Sequence, residues 1–290
     1  MLEGLEQRVV QALESGDASR LEVLGYGEIS PVLALRLEGG GAACKRLPPF
    51  PDERAFDAYR SAFEAQLEAF AAGGVPVLPT ALRRVSRAGA RPVAYCVQPL
   101  VEREALVPVR MAGEPETWGT DRVAKIIDVV LGYVRPTRGL DAQLSNWVVV
   151  DGRLGYVDVT TPLLRDERGR ERLDVDVFLA SLPWAVRGLA RRFAVRGILD
   201  AYYSPRGVVR DLLANLVKEG LAGRLPALTA LGARRVDPPL SVEEIRRHYA
   251  RDARTWHLLQ RLRCLDRTWQ RHVRRRPYPF LLPGRVARHV

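Results

Sequence analysis

The sequence predicts an α+β protein of two unequal lobes: a small, mostly antiparallel sheet with one long helix, then a larger, mostly helical part. Two observations favour this order. In roughly the first hundred residues, short β-prone runs alternate with glycine turns, and one long amphipathic stretch interrupts them. Beyond them, Ser-marked helix starts precede long segments with apolar residues at helical spacing.

The composition indicates a globular protein, and the order of the predicted elements gives the boundaries of its parts. The chain has 290 residues, of which 47% are hydrophobic, and this suits a packed globular core. We expect an N-terminal helical extension (1–20), an N-lobe (21–101) and a helical C-lobe (102–290). No run of uncharged residues is long enough to span a bilayer, so we expect a cytoplasmic protein with no membrane partner.

The N-lobe opens with three predicted strands joined by two glycine turns. The strands are expected at Leu21–Leu24, Pro31–Leu37 and Ala42–Leu47, and the turns at Gly25–Glu28 and Gly39–Gly41.

A long amphipathic helix is predicted over Glu53–Phe70, because apolar residues recur there every three or four positions. Two more strands are expected near Val75–Arg84 and Pro92–Val101.

The C-lobe should contain a helix over Asp121–Val134 and a short hairpin around Asp151-Gly152. The strands of that hairpin are expected at Trp147–Val150 and Leu154–Val159. Ser204-Pro205 is typical of a helix start. Ser241 with Glu244 resembles a capping box that opens a long last helix.

Two features of the N-lobe have chemical potential. Gly25 and Gly27 belong to a predicted tight turn in which backbone N–H groups could approach an anion. An ordinary hairpin turn explains the same residues. Lys45 lies among apolar residues on a predicted strand, and the chain has only 3 Lys against 42 Arg. A lysine with apolar neighbours on a strand would point into the interface between the lobes; a solvated edge lysine is the alternative.

The third feature lies in the C-lobe. Asp141 is followed five residues later by Asn146, and the predicted hairpin then ends near Asp158. Together with Ala43-Cys44-Lys45, this order resembles the protein kinase-like superfamily, in particular its aminoglycoside/choline-type phosphotransferase branch. The alternative is that the three side chains only cap a turn, close a loop and end a strand.

The resemblance implies a bilobal, kinase-like fold and an ATP- and magnesium-dependent phosphotransferase acting on a hydroxyl of a small molecule or of a peptide Ser/Thr. Asp141 would be the catalytic residue that orients this hydroxyl, and Asn146 and Asp158 would hold Mg²⁺. The nucleotide would contact Lys45 and the turn of Gly25 and Gly27. Lys45 would pair with a carboxylate of the long helix, Glu64 or, one turn later on the same face, Glu68.

One departure from the family pattern opens a second possibility. Gly139 stands where the family usually has His, two residues before Asp141, and Asp158-Val159-Thr160 has no glycine. A catalytically silent, nucleotide-binding partner protein in a biosynthetic complex is therefore the alternative function.

The net charge of +11 is concentrated at the end of the chain, where residues 241–290 contain 13 Arg and only 4 acidic residues. A terminal helix with a solvated Arg face explains this pattern. In the other interpretation, Arg271 and Arg274–Arg276 attract an anionic partner: nucleic acid, anionic lipid or an acidic peptide. A basic nucleic-acid or acidic-peptide binding protein is the third candidate function.

Overall fold

The computed structural model describes residues 1–26, 31–85, 91–174, 199–276, 278 and 280–281. Its N-terminal part is a helix, α1 (Leu2–Ser15), followed by a five-stranded antiparallel sheet in the order β1-β2-β3-β5-β4. A long helix, α2 (Glu53–Ala72), lies between β3 and β4 in the chain. The strands are β1 (Val23–Tyr26), β2 (Pro31–Leu37), β3 (Gly40–Arg46), β4 (Ala81–Val85) and β5 (Val93–Pro99).

Helix α1 covers one face of this sheet. Its Leu5 and Val9 pack against Leu33 of β2 and Cys44 of β3, all of them buried. Because successive side chains of a strand point to opposite faces, Lys45 must lie on the other face of β3. That face looks toward α2 and the rest of the protein.

A buried ion pair fixes α1 to the sheet. Arg46 donates from Nε and Nη2 to the two carboxylate oxygens of Glu6, at 2.7 and 2.8 Å, and the Tyr95 hydroxyl donates to Glu6 Oε2 at 2.7 Å. Glu6 and Tyr95 are 0% exposed and Arg46 is 7% exposed. The buried face of helix α1 thus packs into the core on this side of the sheet.

Helix α2 begins at an Asp52 cap, whose carboxylate accepts a hydrogen bond from Ala55 N at 2.8 Å. Its buried side chains face the main core at helical spacing, as the sequence predicts. They include Phe56, Tyr59, Phe63, Gln66 and Phe70.

The C-terminal part is mostly helical. Its hairpin turns at Asp151 and Gly152, whose φ angles of 49° and 74° are those of a tight two-residue turn. Ser204 and Ser241 cap helices as predicted, each accepting a hydrogen bond from the backbone N–H three residues on. The elements are α3 (Val107–Gly113), α4 (Glu116–Tyr133), β6 (Trp147–Val150), β7 (Arg153–Tyr156), α5 (Pro205–Lys218), α6 (Leu225–Ala233) and α7 (Val242–His272).

The predicted α+β class, with a small antiparallel sheet before a helical part, is confirmed. Gly25 and Tyr26, which were expected in a turn, belong to strand β1, and the second strand of the hairpin ends at Tyr156 and not at Val159. Two other bounds differ by five or more residues. The strand expected from Val75 begins only at Ala81, because the preceding backbone pairs with β7 instead: Leu78 N donates to Tyr156 O at 3.1 Å. Helix α4 begins at Glu116 and not at Asp121, directly after Pro115, which serves as its N-cap residue.

Within the described part of the chain, none of the helices has the length and apolar character that a bilayer crossing requires.

Candidate functional site

Lys45 and Asp158 meet between the sheet and the helical part. Lys45 Nζ donates to Asp158 Oδ1 at 2.8 Å, although the two residues are 113 positions apart in the sequence. Lys45 lies in the interior of the sheet, opposite Val32 of β2 and Cys96 of β5. The side chains of the pair are 18% and 26% exposed, so both are largely buried but keep some contact with solvent.

The pair is electrostatically coupled. Burial alone would lower the pKa of Lys45, but the charge of Asp158 and the hydrogen bond to it outweigh burial, so the pKa of Lys45 is raised. Burial would likewise raise the pKa of Asp158, yet the Lys45 charge and the hydrogen bonds from Lys45 and Thr160 hold this pKa below its ordinary value. Both groups are therefore charged at neutral pH.

The segment after Asp158 is anchored to helix α2. Thr160 Oγ1 donates to Asp158 Oδ1 at 3.1 Å, and the hydroxyl of Tyr59 donates to the carbonyl oxygen of Thr160 at 2.9 Å. Gln66, 1% exposed, accepts a hydrogen bond from Leu163 N at 3.0 Å. The position where the kinase pattern has glycine thus holds a threonine that orients the carboxylate.

Hydrogen bonds within the segment 141–146 and from strand β7 fix its conformation. The Asp141 carbonyl oxygen accepts two hydrogen bonds, from Asn146 Nδ2 at 3.1 Å and from the Tyr156 hydroxyl at 2.9 Å. Asn146 O accepts from Val157 N at 3.0 Å, which places Asn146 opposite the residue that precedes Asp158. The hairpin β6–β7 therefore brings the two predicted metal ligands to the same end of one small sheet.

The side-chain chemistry of these two residues fits a hard cation. Because Asn146 Nδ2 donates to a carbonyl, the amide oxygen Oδ1 is the atom of this side chain suited to a metal. Asp158 contributes a carboxylate that already faces one cation, the Lys45 ammonium. Oxygen donors of this kind suit Mg²⁺. In the described ranges, no group of three or more His, Cys, Asp or Glu side chains could hold a metal.

Helix α5 supports the Asp141 segment in a way that the sequence analysis missed. The Asp141 carboxylate accepts a hydrogen bond from Gln143 N at 3.2 Å. Gln143 Oε1 in turn accepts from Lys218 Nζ at 3.1 Å, and Asn215 Oδ1 accepts from Ser145 N at 3.3 Å. The rarity of these residue types could have drawn attention to them, since Asn215 is one of 2 Asn and Lys218 one of 3 Lys in the chain.

A side chain at Gly139 would be crowded by its surroundings. A Cβ at this position would lie 3.0 Å from Leu163 Cβ and 3.2 Å from both the Tyr202 carbonyl oxygen and Tyr203 Cε1. Gly139 N also donates to Leu163 O at 2.8 Å. A residue with a side chain at this position would therefore require its neighbours to move by a few tenths of an ångström.

The other predicted N-lobe site residues in the described ranges, Gly25 and Glu64, lie on β1 and α2. Glu64 and Glu68 are on the exposed side of α2, and the ion pair recorded for Lys45 within the described structure is with Asp158. Gly25 stands opposite Val32, which stands opposite Lys45, so Gly25 shares one row of the sheet with the lysine. Gly27 lies outside the described residues.

Comparison with known proteins gives structural likenesses of low identity. The chain is similar to WaaP in complex with acyl carrier protein, at 17% identity and a TM-score of 0.31, over 75% of this chain and 91% of that one. It is also similar to the kinase domain of Mycobacterium tuberculosis PknI, at 17% identity and a TM-score of 0.38, over 80% of this chain and 94% of that one. With TM-scores this low, neither likeness bears on what the protein does.

No curated protein matches the chain significantly. A family model matches residues 4–267, which is most of its length. The protein therefore belongs to DUF6206, a family of unknown function.

Proposed function

We propose that the protein is an ATP- and magnesium-dependent phosphotransferase with a kinase-like site. The observation that carries this proposal is the Lys45–Asp158 ion pair of 2.8 Å, formed where the hairpin also delivers Asn146. An ammonium, an amide oxygen and a carboxylate between a small sheet and a helical part are the groups that a triphosphate and its metal require.

Each residue has a proposed role. Lys45 binds phosphate oxygens, and Asn146 and Asp158 hold Mg²⁺, which when bound neutralises negative charge on the phosphates. Lys45 and Asp158 neutralise each other in the structure. With nucleotide and Mg²⁺ bound, Lys45 would bind phosphate oxygens and Asp158 would hold the cation. The register of Gly25 with Val32, and of Val32 with Lys45, supports a role for the β1 backbone beside the nucleotide.

Asp141 is the residue proposed to orient the acceptor hydroxyl. Its backbone is fixed by Asn146 and Tyr156, and its carboxylate by Gln143 N, so the group is held at a defined position. Such positioning contributes much of the rate in phosphoryl transfer, because the reaction demands little covalent chemistry from the protein. We propose as acceptor a hydroxyl of a small molecule or of a peptide Ser/Thr.

Turnover measurements with matched lysine variants test the proposal. Lys45→Met should abolish ATP turnover, whereas Lys125→Met should leave it unchanged, because Lys125 is exposed on α4. Asp158→Asn should also abolish turnover while circular dichroism shows an intact fold. Wild-type rates in both Lys45→Met and Asp158→Asn would refute the mechanism.

The packing around Gly139 favours a second candidate, a nucleotide-binding module without catalytic activity. Kinase-like enzymes usually have His at that position, and here Leu163 and Tyr203 fill the space. Thermal unfolding with Mg–ATP separates the two candidates: stabilisation with no turnover toward any acceptor supports the silent module. Stabilisation accompanied by turnover supports the enzyme.

A further inference from the structure

The second half of helix α7 carries large apolar side chains that are exposed. In the first half, Ile245, Tyr249 and Ala253 are 0%, 6% and 0% exposed and pack on the protein. Farther along, four large apolar side chains face solvent. The exposed fractions are 59% for Leu258, 67% for Leu265, 49% for Trp269 and 56% for Val273, which follows the helix.

These four residues form one line. They follow each other at intervals of seven, four and four positions, so they fall on nearly the same side of a helix. At a rise of about 1.5 Å per residue, the line is roughly 20 Å long. We call it the α7 ridge. Because these side chains project from the cylindrical surface of one helix, the α7 ridge can contact a flat surface and does not require a groove.

Arginines border the α7 ridge. Between positions 254 and 276 the sequence has eight Arg and a single acidic residue, Asp266. The Asp266 carboxylate accepts a hydrogen bond from Gln270 Nε2 at 3.3 Å. Five of these arginines are exposed, namely Arg254, Arg261 and Arg274–Arg276. The surface therefore combines an apolar centre with cationic borders.

We infer that the α7 ridge docks on the surface of an anionic phospholipid bilayer. Such a surface attracts arginines through its phosphates and accepts Leu and Trp side chains at the boundary of headgroups and acyl chains. A nucleic acid would use the arginines but leave Leu258 and Leu265 in water. An uncharged protein groove would use the leucines but leave the arginines unpaired.

This docking differs from a membrane span, which the described helices are not long and apolar enough to form. The proposed docking differs from the sequence-based expectation that the protein has no membrane partner. The inference is independent of the proposed phosphotransferase activity, because the α7 ridge includes none of the site residues.

Vesicle co-sedimentation of the full chain tests the inference. We expect the protein to bind vesicles of phosphatidylcholine with phosphatidylglycerol and to remain in solution with phosphatidylcholine alone. Each arginine near an anionic surface contributes about fivefold to partitioning. Arg254→Gln, Arg261→Gln and Arg274→Gln together should then weaken binding on the order of 100-fold.

A matched variant controls for net charge. Arg8→Gln, Arg153→Gln and Arg168→Gln remove the same charge at exposed positions elsewhere and should weaken binding much less. Leu258→Gln with Leu265→Gln keeps the charge and should weaken binding roughly tenfold or more, since apolar burial is lost. All these positions are exposed, so the fold should survive.

Three results would overturn the inference: no binding to the anionic vesicles, equal binding to neutral vesicles, or equal losses in the two triple-arginine variants. Retention on RNA or on a polyglutamate peptide without vesicle binding would likewise assign the α7 ridge to another partner.

Discussion

Replacing Glu6 by leucine should destabilise the protein strongly, because this change leaves Arg46 without its buried counterion. The two side chains are joined by two hydrogen bonds, of 2.7 and 2.8 Å, and are 1% and 8% exposed. Tyr95, fully buried, loses its hydrogen-bond acceptor as well. Removing one member of a buried ion pair costs about 3–5 kcal/mol.

The whole cost should be visible in unfolding measurements. We expect the midpoint of thermal unfolding to fall on the order of 10 °C, and the urea midpoint to fall in proportion. Glu3→Leu is the matched control, since Glu3 lies exposed on the same helix, and it should change the unfolding free energy by less than about 0.5 kcal/mol.

A double variant separates the ion pair from the packing. Glu6→Leu combined with Arg46→Met exchanges the pair for apolar side chains of similar size, which is often neutral or stabilising. Most of the lost stability should return. If Glu6→Leu alone behaves like Glu3→Leu, or if the double variant is as unstable as the sum of its parts, the buried pair does not hold α1 on the sheet.

Three further predictions concern the site. Asp141→Asn should lower turnover by at least about 100-fold while calorimetry shows ATP binding unchanged, because the residue orients the acceptor. Gln66→Leu should cost about 1–3 kcal/mol in urea unfolding, since the buried Leu163 N–H loses its acceptor. The stabilisation from the Lys45–Asp158 pair should be constant between about pH 4 and about pH 10. It should fall in acid as Asp158, with its lowered pKa, is protonated, and in alkali as Lys45, with its raised pKa, is deprotonated. Urea midpoints of the wild type and of Asp158→Asn, compared across pH, measure this; a constant difference in strong acid would contradict it.

Much of the architecture could be predicted from local patterns. Strand β2, strand β6 and the caps of α5 and α7 follow from residues that are close in sequence, because turn and cap chemistry is local. Strand β4 was misplaced for the opposite reason. Whether Val77 and Leu78 extend β4 or pair with Tyr156 depends on a strand far away in the chain.

In the site, too, local sequence patterns could be recognised, whereas contacts between distant segments could not. Lys45 and Asp158 could be singled out because each stands in a recognisable short pattern. The threonine that orients Asp158 and the tyrosine that holds this threonine could not, because Tyr59 and Thr160 meet only through folding. The expected helix carboxylate at Glu64 was a plausible choice by spacing, but the helical phase turns Gln66 inward and Glu64 toward solvent.

Isothermal titration of ATP into the protein, with and without Mg²⁺, tests the central claim most directly. We expect saturable binding that requires Mg²⁺, that Asp158→Asn and Lys45→Met each weaken at least about tenfold, and that Lys125→Met leaves unchanged. Absence of binding in the wild type, or equal affinity in all three variants, would contradict the claim that Lys45, Asn146 and Asp158 surround one nucleotide.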